Sequence, residues 1–357
     1  MDVTVAADAA GLLRGALQVR ECGDGRVRPC RFTEAQVREL GGLAAWHPRL
    51  YREMARCTAG ICLDLVTDSA HLALEAWADP FGSGTVAMLR DLLAHDPSVS
   101  APYDGFSLVV DGKRLGVRVP GEDGLVRFAA GAFPGKTRRV RIWLPCLTGC
   151  ELGRIYGDGS FVKAAPANNA LLVLGDSIAQ GFTALDPAIT WPALLADDLG
   201  LTLVNQGVGG QVFQPGSISD AADSVDAAAV VIEFGANYRF EPCRADAVER
   251  DVYAYLREAY RAFPGVPTLV VTPLFHTEEI YATHPDSCFA DVARVIAQTA
   301  SSFATMTVVD GDGILPTDPA ILADGSDHPG AAGQQVVYKK LRNSFSFPTV
   351  NSQVAAP

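Results

Sequence analysis

Residues 170–181 read Ala170-Leu171-Leu172-Val173-Leu174-Gly175-Asp176-Ser177-Ile178-Ala179-Gln180-Gly181. The apolar run has no polar interruption and stops at a glycine. A strand buried on both faces has this pattern, and such strands belong to parallel sheets covered by helices. Asp176 and Ser177 then stand where a helix should begin, because short oxygen-bearing side chains cap its first free N–H groups. A strand-to-helix turn of this kind exposes the Ser177 hydroxyl and aims the following N–H groups at one point.

Downstream the rhythm repeats. Residues 201–205, 227–234, 268–272 and 306–310 read as further strands, with 227–234 buried on both sides by its composition. Between them lie helical stripes: Trp191, Leu194, Leu195 and Leu199, then Val248, Val252, Tyr255, Leu256, Ala259 and Phe263 over residues 244–263. Phe289, Val292, Ile296 and Phe303 mark another, and Pro329 is expected as the first residue of a last helix. Strands alternating with helices predict an α/β domain with a parallel sheet and helices on both faces, over residues 166–346.

Upstream, residues 1–165 read as β with helical insertions. Ile61, Leu63 and Leu65 alternate with Cys62 and Asp64, which predicts a half-buried strand. Leu72, Leu74 and Ala76 share one face of another. Residues 106–110 and 115–119 flank Asp111-Gly112, a hairpin signal. Val140, Ile142 and Leu144 continue the alternation. Thr33 and Gln36 form a capping box ahead of a short helix, and residues 85–95 carry a helical pattern. Strands and turns at this density predict a β-sandwich. A loosely held tail is expected over residues 347–357.

Composition sets the outer bounds. Of 357 residues, 48% are hydrophobic and 20% charged, which excludes wholesale disorder. The net charge of −12, without a basic cluster, argues against nucleic acid or anionic membrane as partner. No apolar run approaches the roughly 18 residues of a membrane span. The first residues carry Asp2 and Asp8 and lack a basic start, so no secretory signal is read and a cytoplasmic location is expected. The eight cysteines lack the paired CxxC spacing of a zinc site and are expected as reduced thiols. No metal or organic cofactor is implied.

Ligands of a doubly wound sheet bind outside the carboxyl ends of its strands, so the residues just after each strand carry the chemistry. After the first strand stands Ser177. After the second comes Gln206-Gly207-Val208-Gly209-Gly210-Gln211, whose glycines allow close backbone approach. Gly235-Ala236-Asn237-Tyr238 follows the third, offering an amide donor. Asp324-Gly325-Ser326-Asp327-His328-Pro329 ends the last long loop. A neutral imidazole held by a carboxylate is what a serine nucleophile needs. Each signal has an ordinary reading as a cap, a turn or a surface residue; their common edge makes the catalytic one.

These blocks, in this order, resemble those of the SGNH (GDSL-like) hydrolase superfamily over about residues 168–345. The whole chain is similar to a two-domain subgroup, in which a β-sandwich of jelly-roll type precedes a flavodoxin-like three-layer α/β/α domain and several members are carbohydrate esterases. Arg141-Ile142-Trp143-Leu144-Pro145, Gly181-Phe182 and Trp191-Pro192-Ala193-Leu194-Leu195 fit that subgroup. The resemblance implies Ser177 as nucleophile and His328 as general base. It implies an oxyanion hole made of the Gly210 N–H, the Asn237 side chain and the Ser177 N–H. The family places its acid three residues before the histidine, where this chain has Gly325. Asp324 is favoured in its stead, because the adjacent Asp327 should point away from the ring. Asp327 or a backbone carbonyl are the alternatives. Tyr238 replaces an acid that often follows the asparagine.

Gln211, Phe213, Tyr238, Arg239 and His276 are candidate substrate contacts; His276 is also a rival base, and Arg239 pairs with a surface acid if it does not meet a substrate anion. Cys243 and Cys288 show no activating neighbours. The main expectation is a serine esterase acting through an acyl-enzyme on a small acyl, above all acetyl, ester of a carbohydrate or similar small molecule. The alternatives are an acyltransferase or metabolite-tailoring esterase of the same fold, and an inactive carbohydrate-binding protein.

Overall fold

The computed structural model describes residues 3–78, 105–239, 244–277 and 286–345. The helix expected over 85–95, the tail after Ser346, Cys243 and the side chains of Phe289 and Cys288 lie outside the described residues.

The N-terminal part is two antiparallel sheets. The first contains β1 (Val5–Asp8), β3 (Gln18–Gly23), β4 (Arg26–Cys30), β6 (His71–Ala78), β9 (Leu125–Ala129) and β11 (Cys150–Gly157). The second contains β2 (Leu13–Arg14), β5 (Cys62–Thr67), β7 (Phe106–Val110), β8 (Lys113–Arg118), β10 (Arg138–Trp143) and β12 (Val162–Ala164). Their orders are β3-β4-β11-β6-β9, with β1 on β11, and β12-β5-β10-β7-β8, with β2 on β5. Leu63, Leu65, Leu72, Leu74, Val140, Ile142 and Ile155 meet between them as one core. Asp111 (φ 49°) and Gly112 (φ 78°) are both left-handed, as a two-residue hairpin turn requires. That turn lets β8 begin at Lys113, two residues ahead of the expected strand.

β5 departs from the expected half-burial: Cys62 and Asp64 are buried along with Leu63 and Leu65. The cause is the second domain, which covers the outer face of this sheet. Cys62, Val109 and Trp143 join a core with Leu171, Trp191 and Leu203. Ion pairs Arg141–Asp197 and Arg114–Asp186 cross the same junction. Asp64 is held by Arg139 at 2.7 Å.

The C-terminal sheet is five-stranded and parallel, in the order β14-β13-β15-β16-β17. Its strands are β13 (Ala170–Gly175), β14 (Thr202–Gly207), β15 (Ala227–Glu233), β16 (Thr268–Val271) and β17 (Met306–Val309). β13 shows why the unbroken apolar run is needed. Leu172 and Leu174 face the helices Ala245–Ala262 and Asp286–Ala300, through Val252, Leu256 and Ile296. Leu171 and Val173 face the helices Trp191–Leu199 and Ala331–Ser344, through Leu195, Val337 and Leu341. Each fully buried side chain of this size is worth about 1.5–3 kcal/mol. The strand order reverses direction on either side of β13, and the resulting crevice opens at the carboxyl ends of β13 and β15.

Pro329 is not the first helical residue. The last helix starts at Ala331 with Gly330 as its N-cap, while Pro329 bridges to Leu322 and its carbonyl accepts from Thr183 Oγ1 at 3.2 Å. Proline fits because that strand-like position asks no N–H of it. No described helix is long and apolar enough to cross a membrane. Cys22, Cys30, Cys57, Cys62, Cys146 and Cys150 form no disulfide.

Candidate active site

Ser177 opens a short helix, Ser177–Gln180, directly behind β13. Asp176 caps it, accepting the Ile178 N–H at 3.0 Å, and Gly181 ends it at φ 103°. At the first helical position a backbone N–H has no acceptor within the helix. Gly175 is required by space: a methyl there would lie 2.5 Å from Ala179 Cβ and 2.9 Å from the Glu233 carbonyl. Gly207 is required likewise, since a methyl would come within 2.4 Å of the Gln180 nitrogen. Asn205 then ties the two loops, donating to the Ala179 carbonyl and accepting the Gly207 N–H, each at 2.8 Å.

His328 brings the distant loop in. Its Nε2 lies 2.8 Å from Ser177 Oγ. Its Nδ1 lies 2.5 Å from Asp324 Oδ2. The other oxygen of Asp324 accepts the backbone N–H groups of Ser326, Asp327 and His328 at 2.9, 3.1 and 3.2 Å. A carboxylate gripped this way wraps the loop around itself, with Gly325 left-handed at φ 68°. This is how an acid four residues before the histidine reaches the ring.

Asp327 corrects the expectation that it points away. Its Oδ1 is 2.9 Å from His328 Nδ1 in ionic contact, without hydrogen-bond geometry, and its Oδ2 takes Arg239 at 2.8 Å. Arg239 is also corrected. It neither meets solvent nor pairs with a surface acid, but is buried in an ion pair with Asp327.

Burial lowers the basicity of His328, yet the Asp327 charge and the Asp324 hydrogen bond prevail and hold its pKa well above 6.5. Burial raises Asp327, but His328 and Arg239 outweigh it and hold that carboxyl below its ordinary range. Asp176 is pushed up to about 7 by burial, against the pull of the Ile178 N–H and His328. Glu233, at the end of β15, is raised well above 4.5 by burial and by the facing Asp176.

Asn237 reaches the crevice in a short 3-10 turn after β15. Its Nδ2 is 3.1 Å from both Asp176 Oδ2 and the Gln211 carbonyl, so an oxyanion here would share the amide with them. Val208-Gly209-Gly210-Gln211 is a turn closed by Gln211 N–H to Val208 O at 3.0 Å. Gly210 has φ 79°, the third-position value of a type II turn.

The other candidates divide. Gln211 lines the turn and is buried. Phe213 is only 1% exposed and belongs to the core against Phe234 and Tyr255, so it is no pocket wall. Its place after the glycine loop concealed that the chain turns back under the sheet there. Tyr238 is buried too, its ring edge-on to Trp46 at 5.3 Å. His276 is half-buried on the catalytic edge, its pKa lowered by burial and by Arg239. His328, not His276, contacts Ser177.

Several residues were not legible as site residues. Phe182 stacks on the His328 ring, centroids 5.4 Å apart. Gln180 accepts the Gly209 N–H at 2.8 Å. Arg31, Leu50 and Tyr51 arrive from the sandwich side of the chain, and no local signal marks them.

Asp324, Asp327 and His328 could in principle hold a cation, their ligand atoms lying within 4.8 Å of one another. Arg239 on Asp327 and Ser177 on the far ring nitrogen suit a proton relay better.

The arrangement spans the same blocks as a known family. Residues 173–336 match the model of the GDSL-like lipase/acylhydrolase family. This part of the chain is a GDSL-like domain. Among curated proteins no sequence match was found. Solved structures share the whole two-part architecture. A salicylyl-acyltransferase from a tetracycline biosynthetic pathway superposes with a TM-score of 0.73 at 18% identity, covering 95% of this chain and 96% of that one. A GDSL-like lipase candidate from Bacteroides ovatus gives 0.70 at 18% identity, with 95% and 96% covered. An acetyl xylan esterase from the rumen bacterium Butyrivibrio proteoclasticus gives 0.57 at 12%, with 96% and 98% covered. At these identities the likeness is one of fold: a GDSL-like domain carried behind a β-sandwich.

Proposed function

We propose that this chain moves acyl groups from small esters through a covalent acyl-enzyme on Ser177. The observation that carries the reading is the line Ser177 Oγ–His328 Nε2 at 2.8 Å and His328 Nδ1–Asp324 Oδ2 at 2.5 Å. His328 takes the Ser177 proton as Oγ attacks the ester carbonyl, and Asp324 holds the ring in the tautomer this needs. The negative charge on the carbonyl oxygen forms against the Ser177 and Gly210 N–H groups and the Asn237 amide. His328 then gives its proton to the leaving alcohol. A second nucleophile, activated by the same ring, releases the acyl group.

Whether that nucleophile is water or an acceptor alcohol separates hydrolase from transferase. Transfer is the reading we favour. The acyltransferase superposes better, at 0.73, than the acetyl xylan esterase, at 0.57, over nearly the same share of the chain. The acetylated-sugar reading rests on the esterase of like architecture.

The test is intact mass after a fluorophosphonate, on wild type and Ser177→Ala. One adduct on wild type alone supports the nucleophile; none on folded wild type sinks the reading. Product analysis of p-nitrophenyl acetate turnover with competing alcohols then separates transfer from hydrolysis.

A further inference from the structure

The turn that presents Gly210 is held from three sides. Gln180 Oε1 takes the Gly209 N–H at 2.8 Å, and Asn237 Nδ2 donates to the Gln211 carbonyl at 3.1 Å. The third hold comes from across the domain junction, where Tyr51 OH donates to the Gly210 carbonyl at 2.8 Å. Tyr51 lies on the helix Pro48–Met54, between β4 and β5 of the sandwich, and is fully buried. Its helix is anchored to the same loop by Arg31, which donates to the Met54, Cys57, Asn205 and Gly207 carbonyls at 2.7, 2.7, 3.0 and 2.7 Å. Gln36 and Gln206 add an amide–amide bond at 2.9 Å.

A glycine at φ 79° is conformationally loose, and nothing in its own side chain sets where its N–H points. Fixing the peptides on both sides of the Gly209–Gly210 peptide, which carries that N–H, does. Tyr51 fixes the peptide that follows Gly210, and Gln180 the one before Gly209. Leu50, one residue earlier on the helix, covers the same glycine: a methyl on Gly210 would lie 3.2 Å from Leu50 Cδ2. Leu50 is only partly buried, so its contact with Gly210 lies beside solvent-accessible surface and not in the closed core.

We propose that the helix Pro48–Met54 completes the active site, with Tyr51 as a positioning residue for the Gly210 N–H and Leu50 as the wall that limits acyl size beside it. The proposal rests on the acyl-enzyme reading above. It assigns the sandwich-side segment a part in the chemistry, beyond packing against the GDSL-like domain.

The experiment is steady-state turnover of p-nitrophenyl acetate and p-nitrophenyl butyrate by the full chain, as wild type, Tyr51→Phe and Leu50→Ala. Direct loss of an oxyanion donor costs about 10²–10³ in rate, and loss of its positioning should cost less, about tenfold in kcat. KM for Tyr51→Phe should stay within about twofold of wild type, because the bond acts when the oxyanion forms. The midpoint of its pH profile should not move, since His328 and its acids are untouched. For Leu50→Ala the butyrate-to-acetate ratio of kcat/KM should rise about fivefold or more. An unchanged kcat in a folded Tyr51→Phe overturns the positioning role. If that variant does not fold, an unchanged butyrate-to-acetate ratio in Leu50→Ala overturns the proposal. Inactive wild type sinks the acyl-enzyme reading itself; active wild type with unaltered variants sinks only this inference.

Discussion

Asp324 holds His328 by two atoms: Oδ2 meets the ring Nδ1 at 2.5 Å, and Oδ1 accepts the backbone N–H of the same residue at 3.2 Å. One carboxylate thus sets both the ring and the loop that carries it. Asp327, in ionic contact with the same Nδ1, has its second oxygen committed to Arg239. The two acids should therefore separate on mutation. Asp324→Ala should lower kcat by on the order of 10³ or more, and Asp327→Ala by less than about 10². Ester turnover by the two variants measures this, and a larger loss in Asp327→Ala would reverse the assignment.

The charge on His328 gives a pH signature. Its pKa stands well above 6.5 because two carboxylates outweigh burial. A general base works in its neutral form, so activity should rise with pH and reach half-maximum above 6.5. Asp327→Asn removes a charge that favours the imidazolium and should move the midpoint to lower pH. Arg239→Met leaves Asp327 uncompensated and should move it higher. Profiles of kcat/KM test both; shifts of the opposite sign would refute the electrostatic account.

Asp176 and Glu233 make a second, separate pH dependence, in stability. Their folded pKa values are raised chiefly by burial, to about 7 for Asp176, with the Asp327 charge adding to it, and well above 4.5 for Glu233, with the Asp176 charge adding to it. A carboxyl raised on folding ionises first in the unfolded chain. Its contribution is full at low pH and is lost as pH rises from about 4 to about 7, the reverse of an ion-paired acid. Glu233→Gln keeps the shape and cannot ionise, so its Tm relative to wild type should increase between pH 4 and pH 8. A difference that stays flat or falls would mean Glu233 is charged and stabilised in the fold.

Arg31 joins four carbonyls from the two sides of the domain junction while fully buried, and burial lowers its pKa to about 10. Arg31→Met leaves those carbonyls without a donor and should cost about 3 kcal/mol or more, at 1–3 kcal/mol for each group left unsatisfied. Urea unfolding gives the number. A loss under about 1 kcal/mol would show that water or the neighbouring backbone replaces the guanidinium.

The sequence by itself determined the local features. The apolar run 170–174, the stripe over 244–263, the Asp111-Gly112 turn and the Thr33–Gln36 capping box form where they were expected, because each depends on neighbours a few residues away. The order of the blocks at Ser177, Gly210, Asn237 and His328 also placed them on one sheet edge, since residues after parallel strands must emerge on the same side. Only the tertiary structure decided what depends on distant partners. The outer face of β5 is buried because a second domain lies against it, which no pattern within the strand records. Phe213 goes to the core, and Arg239 to Asp327. Tyr51, 159 residues from Gly210, becomes a support of the glycine turn. Such contacts join surfaces that are each complete in local terms, and the free energy that selects them comes from burying both together.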